Sequence, residues 1–417
     1  MQVMTSHFAD IRAAASHRSG CAIALRRTMG RPLRVALFSG NYDCVRDGAN
    51  QALNRLVAYL MDRVGAQIRI YSPTAPRKAF DSVGDIRSVR SLSIPGRPEY
   101  RLALGFTSAA ARDFDDFAPD VVHLSAPDLL GRQAQKHARR HGIPVVASLH
   151  TRFETYLDYY RVGLLRPMVE AYLDRFYGES DHILAPTAPI AREMVGRHGE
   201  DKVSIWGRGV DPALFGPHLR DEGIRSAHGY MPEEVVPLFF GRLVLEKGLG
   251  IFAEAIARIR AQGHQVRPLI VGEGPARGWL AERMPNATFM GHLSGAALGR
   301  AVASADILIN PSVTEAFGNV NLEAMASGLA VVSADIASAS ALIADGKTGL
   351  LVPAGQAEAY VDAVVGLMTD EKRRRTVRAA AAAAAIRHRW SDVLEDVAAA
   401  YCHVLHIPLA PAVEQAA

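Results

Sequence analysis

From Arg34 onward, short apolar runs recur between stretches of helical character: RVALFSG, QIRIYSP, DVVHLSAP, PVVASLHT, HILAPT and VSIWGRGV. The runs are continuous rather than alternating, as expected of strands covered on both faces. HARRHGIPVV shows one join in full: a helix, a glycine at position 142 suited to a left-handed C-cap, then a β-branched run. Such alternation predicts a parallel sheet with helices on both sides. The pattern pauses over VDPALFGPHLRDEGIRSAHGYMPEE, rich in Gly, Pro and charge, and restarts with VVPLFFGRL, RPLIVGEG, ATFMG, DILINPS, AVVSAD and GLLVPA. The fold class is therefore α/β, with two doubly wound, Rossmann-like domains at residues 31–212 and 234–389 and a linker at 213–233. A ligand is expected in the cleft between them.

The two ends fall outside this pattern. Residues 1–30 carry arginines and histidines without the continuous apolar core of a signal peptide, and Met29 stands just before GRPLRVALFSG. They read as a disordered or mis-assigned leader without chemistry. DEKRRRTVRAAAAAAAIRHRWSDVLEDVAAAYCHVLH is strongly helical, because alanine is the best helix former. Arg373, Arg374 and Arg375 on it read as a solvated face rather than a nucleic-acid patch. Residues 390–417 are assigned to a last helix and a loose tail.

Composition narrows the picture modestly. A chain of 417 residues needs two or three domains, and 49% apolar with 22% charged residues excludes general disorder. The net charge of +4 suits an anionic ligand or surface but is thinly spread. Three cysteines with no CxxC pair and no zinc spacing fit a reducing cytosol, with neither a disulfide framework nor a structural metal. No apolar run approaches the roughly 18 residues that cross a bilayer, so any membrane contact is expected to be peripheral.

Chemistry concentrates where the second set of strands ends. TEAFGNVNLEAMASG, residues 314–328, places Glu315 in the loop leaving a strand and Glu323 about one turn into a helix. Gly318 removes side-chain bulk, and the amides of Asn319 and Val320 lie where a starting helix exposes unpaired donors. Glu315 is suited to sugar hydroxyls and Glu323 to a ribose diol; the bland alternative is a capping or salt-bridge Glu323 and a solvent-exposed Glu315. GRLVLEKG, residues 241–248, sets Arg242 and Lys247 beside another helix start, a combination that suits a diphosphate. VGEGPARGWL, residues 271–280, has Gly272, Gly274 and Gly278; it reads first as a tight strand-to-helix turn and second as a close approach to ligand.

Together these residues resemble the GT-B glycosyltransferases of family 4, retaining enzymes that use nucleotide sugars. The E-x7-E motif of that family matches Glu315 to Glu323 with Phe317, Gly318 and Asn319 between, and GRLVLEKG and VGEGP match its phosphate and nucleotide segments over a likeness spanning about residues 33–405. SGNYDCVRDGANQALNRLVAYL resembles its first loop and helix, with Asp47 and Gly48 where many members have two glycines. That pair, SLHTRFETYLDYY and VSIWGRGVDPALFGP are similar to a branch containing GDP-mannose-dependent mannosyltransferases and sulfoquinovosyl-diacylglycerol synthase. The resemblance implies two Rossmann-like domains facing a cleft and a last helix returning to the first. It implies a nucleotide-sugar donor, GDP-mannose before a UDP-sugar, a lipid or glycan acceptor, no metal or other cofactor, and action in the cytoplasm, at the inner face of the membrane for a lipid acceptor. It makes Glu315, Arg242, Lys247 and His150 catalytic and Gly48, Gly272, Gly274, Phe317, Gly318, Asn319, Val320 and Glu323 donor-binding, with Arg208 a weaker candidate.

Other classes fit less well. A dehydrogenase would open its first strand onto GxGxxG rather than SGNYDCVRDG. A nucleic-acid binder would cluster basic and aromatic residues on one face. A glycosidase pair, with carboxyls about 5 Å apart, leaves the phosphate-binding features unexplained. DFDDF, residues 113–117, reads as an exposed acidic helix end. YLDYYRVGLLRPMVEAYLDRFYG, residues 156–178, interleaves aromatics with Arg161, Arg166 and Arg175, and reads either as core packing with snorkelling arginines or as a helix lying on an anionic membrane.

Overall fold

The structure of the chain, a computed structural model, describes residues 20–45, 47–94, 97–150 and 166–408. Residues 1–19 of the expected leader, Arg161 and the rest of 151–165, and the tail from 409 lie outside the described residues. The chain divides into two compact units, the first ending at Gly207 and resuming at Ser391, the second containing Arg208–Trp390.

In the first unit the strands are β1 (Arg34–Phe38), β2 (Gln67–Ser72), β3 (Asp85–Ser88), β4 (Ser91–Ile94), β5 (Arg97–Ala103), β6 (Val121–Leu124), β7 (Val145–Ser148), β8 (His182–Ala185) and β9 (Val203–Ile205). Seven of them form one sheet in the order β3-β2-β1-β6-β7-β8-β9, every pair parallel. β4 and β5 make a separate antiparallel ribbon that the apolar pattern did not reveal. All four residues of β6, β7 and β8 are buried, as their unbroken apolar runs require. Fully burying side chains such as Leu37 and Leu56 stabilises the fold by roughly 1.5–3 kcal/mol each.

The leader expected through residue 30 is ordered from its last third. Helix Cys21–Thr28 buries Cys21, Ala22 and Leu25 on one face, and the amides of Gly20 and Ala22 donate to Glu395 at 3.0 and 3.1 Å. Its arginines occupy the other face and hid the apolar spacing. Glu395, which also accepts from Tyr59 Oη, sits on the last helix, Trp390–Val404, so that helix is part of the first unit, as expected.

The second unit holds β10 (Pro237–Phe240), β11 (Leu269–Val271), β12 (Thr288–Phe289), β13 (Ile307–Asn310), β14 (Ala330–Ala334) and β15 (Leu350–Val352). They form a parallel sheet in the order β12-β11-β10-β13-β14-β15. Separate apolar clusters on its two faces contain Phe252, Ile256 and Tyr360 on one side and Leu322, Met325 and Ala381 on the other. Residues 213–233, expected as a linker, are built into this unit. Arg225 in helix Glu222–Ala227 is 2% exposed; it donates to Asp306 Oδ2 at 3.2 Å and to the carbonyls of Ser304, Met231 and Glu234. Arg220 and Arg378 reach the other oxygen of Asp306 at 3.1 Å each. Charge that composition reads as solvated here forms a buried, hydrogen-bonded network.

Candidate functional site

In the second unit the chain leaves β10 toward β11 and leaves β13 toward β14, so the connections diverge at the β10/β13 boundary. Such a switch point opens a crevice at the carboxyl ends of the strands. The loops that meet there carry most of the expected site residues.

After β10, a 3-10 turn at Leu245–Lys247 ends on Gly248 (φ +77°), which also begins helix Leu249–Ala261 without a side-chain cap. A Cβ at Gly248 would come within 2.8 Å of Pro311, so glycine permits both the turn and the close approach to the β13 loop. This brings Lys247 Nζ to 2.5 Å from Glu315 Oε1, with side chains 29% and 18% exposed. Two residues that the sequence assigned to different parts of a ligand are thus paired with each other. Arg242 is half-buried on the same loop.

After β13, Asn310 Nδ2 donates to Asn321 Oδ1 at 2.9 Å and Asn321 Nδ2 donates to Ser333 Oγ at 3.1 Å. This buried chain ties strand, helix and next strand together and fixes the start of helix Asn319–Ala326. Sequence reasoning missed it, although an asparagine closing the apolar run ILIN was a usable signal. Gly318 (φ +91°, ψ 54°) precedes the helix in the left-handed region, again without a side-chain cap. The amides of Asn319 and Val320 come before Asn321, the first whose N–H donates to Gly318 O. Ser312 Oγ, Thr314 Oγ1 and Asn319 Oδ1 are shielded from solvent and have no hydrogen-bond partner among the described residues. These three atoms fall within the eight residues 312–319. Glu323 is half-buried one turn into the helix.

Phe317 is 7% exposed and its ring lies in the apolar core, so it anchors the loop and offers a ligand only its backbone. Gly272 (φ +143°) and Gly274 serve a close approach between protein backbones. A Cβ there would stand 1.9 Å from Gly241 O and 2.3 Å from Leu243 O, respectively, which corresponds to the tight-turn reading.

The remaining expected residues belong to the first unit, except Arg208, which is 4% exposed at the start of the second. Gly48 is the first residue of helix Gly48–Tyr59, but the N-cap is Asp47, whose carboxylate accepts from Asn50 N at 2.8 Å. That negative charge disfavours an anion at this helix end. Asp128 likewise caps helix Leu129–Arg140 through Gly131 N at 2.7 Å and abuts Gly40; burial raises its pKa above the ordinary carboxylate value. His150, just beyond β7, bonds Ser148 Oγ through Nε2 at 2.8 Å, and its ring meets Trp206 edge to face at 5.1 Å.

DFDDF ends helix Ser108–Phe117 with Asp115 and Asp116 exposed, as expected, and two of its three aspartates have partners. Asp113 accepts from Tyr71 Oη at 2.8 Å, and Asp115 bonds His137 Nε2 at 2.7 Å. Asp115, His137 and His141 bring potential metal-ligand atoms within 4.8 Å. Arg139 and Arg140 stand in the same last turn as His137. In helix Arg166–Gly178, Phe176 and Tyr177 are buried, Met168 and Tyr172 are exposed, and Arg166 and Arg175 pair with Glu170 and Glu179, so the described part of that stripe packs at its C-terminal end and faces outward over the rest. Arg132 first, and then Arg175, lower the pKa of Glu179 to about 2. Among the described residues, no helix is long and apolar enough to cross a membrane.

A family profile described as Glycosyltransferase Family 4 matches residues 46–214, and one described as Glycosyl transferases group 1 matches residues 234–370. Over 89% of its length the chain is 32% identical to 98% of a GDP-mannose-dependent alpha-mannosyltransferase of Mycolicibacterium smegmatis. The chain belongs to the family 4 glycosyltransferases. This glycosyltransferase is also 28% identical, over 87% of its length and 72% of the relative, to sulfoquinovosyl transferase SQD2 of Arabidopsis thaliana. In fold it is similar to a sucrose-phosphate synthase from Thermosynechococcus elongatus, with TM-score 0.72, 19% identity and 90% and 100% of the two chains covered. It is also similar to WaaG, a glycosyltransferase involved in lipopolysaccharide biosynthesis, with TM-score 0.66, 20% identity and 87% and 98% covered. The GT-B fold expected from the motifs is the fold of this glycosyltransferase.

Proposed function

We propose that this glycosyltransferase moves mannose from GDP-mannose to a hydroxyl of a lipid or glycan acceptor, with retention at the anomeric carbon and without a metal. For a lipid acceptor the reaction belongs at the cytoplasmic face of the inner membrane. The observation that carries the reading is the β10/β13 switch point, where Lys247 and Glu315 pair between two helix starts capped only by Gly248 and Gly318. The relationship to GDP-mannose-dependent enzymes supports the choice of donor.

The hard step is departure of the diphosphate. Lys247, Arg242 and the amides at Asn319 and Val320 stabilise charge growing on the leaving oxygen, an electrostatic contribution available without reorganisation. Glu323 binds the ribose diol. Glu315 holds Lys247 in place and accepts from sugar hydroxyls, while His150 contacts the sugar and the first unit recognises the acceptor. The bond between the anomeric carbon and the phosphate oxygen breaks with its electron pair on oxygen. The acceptor oxygen bonds to the same face and its proton passes to the departing phosphate, so no protein base is needed.

Calorimetric titration with GDP and with UDP, in the presence of a chelator and beside E323A, tests the donor. The expected result is micromolar GDP binding that the variant largely loses. Preference for UDP would transfer the reading to a UDP-sugar-dependent glycolipid synthase, and binding of neither would remove it. The anomeric coupling of the product formed from GDP-mannose tests retention.

A further inference from the structure

Helices Ser108–Phe117 and Leu129–Arg140 lead into β6 and β7, so their last turns lie at the amino ends of those strands. Asp115, His137 and His141 meet there, while His150 lies just beyond the carboxyl end of β7. His137 and His141 stand one helical turn apart, with ring centroids separated by 4.4 Å and planes inclined by 36°. Asp115 comes from the other helix and sets Oδ1 2.7 Å from His137 Nε2. The three side chains offer ligand atoms all within 4.8 Å of one another. Tetrahedral zinc holds such atoms about 3.3–3.5 Å apart, so side-chain rotations of about 1 Å bring them onto one ion.

The surroundings prepare these groups for a cation. A carbonyl only accepts, so His141 donates from Nδ1 to His137 O at 2.9 Å and keeps its lone pair on Nε2. Metal-binding histidines commonly donate their second ring N–H in this way, which fixes the tautomer before the ion arrives. The His137 ring is wedged edge to face between Phe106 and Phe114, at 5.4 and 5.3 Å, and its side chain is 17% exposed. Two helix C-termini converge on the group, and their partial negative charge favours a cation. Of the nearby cations, Arg139 is paired with Glu179 at 3.1 Å, and Arg140 is exposed to solvent. Two imidazoles and one carboxylate suit zinc, whereas magnesium and calcium prefer sets built of oxygen.

We propose that Asp115, His137 and His141 bind one zinc ion that staples the two helix ends together, in a role separate from glycosyl transfer. The ion takes the place of the hydrogen that His137 Nε2 shares with Asp115. That proton passes through water to Nδ1 of the same ring, and no other bond changes. Water completes the coordination.

The test titrates the untagged, chelator-stripped full chain with zinc chloride by calorimetry, as wild type, H141Q and D115N. Both substitutions are at exposed positions. Wild type is expected to take up one zinc with micromolar affinity, and each variant to weaken that binding roughly tenfold or more. Zinc should also raise the Tm of wild type by several degrees and leave that of H141Q unmoved, while magnesium should do neither. An isotherm that both variants leave unchanged overturns the proposal, as does magnesium binding as tight as that of zinc, or zinc binding that leaves Tm where it was. If H141Q does not fold, D115N decides alone. Mannosyl transfer should be equal with zinc and with chelator; loss of transfer in chelator overturns the separate role. If wild type binds zinc as expected but transfers no mannose, the metal site stands and the donor assignment falls.

Discussion

The two units share one strand order at the centre of their sheets, yet they finish their central helices in opposite ways. In the first, the helices that follow β1 and β6 are capped by the carboxylates of Asp47 and Asp128. In the second, those that follow β10 and β13 are preceded by Gly248 and Gly318 with no side-chain cap. A helix start has a partial positive charge and spare amides. The first unit spends both on its own acids, while the second keeps them and adds Arg242 and Lys247. Strand order alone does not set the charge at a helix start; the residue at the cap decides it.

The contrast extends to titration and gives the largest expected effect. His123, with pKa about 3, and His182, with pKa about 4, are held neutral chiefly by burial, and both lie in the first unit. Their folded pKa values are below the unfolded value near 6.5, so the unfolded chain binds the extra protons. Stability is complete above that value and falls as pH drops toward 4 and 3, by up to about 1.4 kcal/mol per histidine and pH unit. Equilibrium unfolding at pH 7 and pH 4.5 should show the first unit losing several kcal/mol and melting before the second. A single transition that shifts uniformly would break the comparison.

Next in size is Lys247→Ala. If the uncapped end binds the diphosphate, kcat should fall about 10²–10³-fold, roughly 2.7–4 kcal/mol, and steady-state transfer from GDP-mannose measures it. A loss below threefold would remove Lys247 from the charge-stabilising role.

Gly318→Asp imports the cap chemistry of the first unit into the second. GDP affinity measured by calorimetry should weaken about tenfold, roughly 1.4 kcal/mol. Gly318→Asn, of similar shape and without charge, should weaken it much less; equal losses would mean that backbone strain at φ +91° is responsible. The smallest effect is expected for Asp47→Ser, which keeps a cap and removes its charge. Stability should change by less than about 1 kcal/mol and GDP affinity should not move; tighter GDP binding, once the opposing charge is gone, would return the phosphate to the first unit.

Local sequence carried the strands and the crevice loops, because a buried strand and a Gly-started helix each fit within about ten residues. Glu315, Gly318 and Glu323 were legible for that reason. The Lys247–Glu315 pair spans 68 positions and Tyr401–His123 spans 278, and no period or motif connects such partners. The glycines at 272 and 274 were visible, but whether a ligand or the Gly241 and Leu243 backbone fills the space beside them depends on packing. Helix Cys21–Thr28 escaped because its interior face is three residues wide, and segment 213–233 because a buried arginine looks like a solvated one in a composition count.

The last helix is separated from the rest of the first unit by the whole of the second. A ribosome making this chain emits Gly207 and then 183 further residues before Ser391 emerges. At about 5–20 residues per second this is a wait of roughly 10–40 s. During it the nascent first unit has neither Glu395 to seat the amides of Gly20 and Ala22 nor Tyr401 to cover His123. A premature stop near residue 390 would therefore spare every strand of both sheets and still leave the earlier-made unit unfinished.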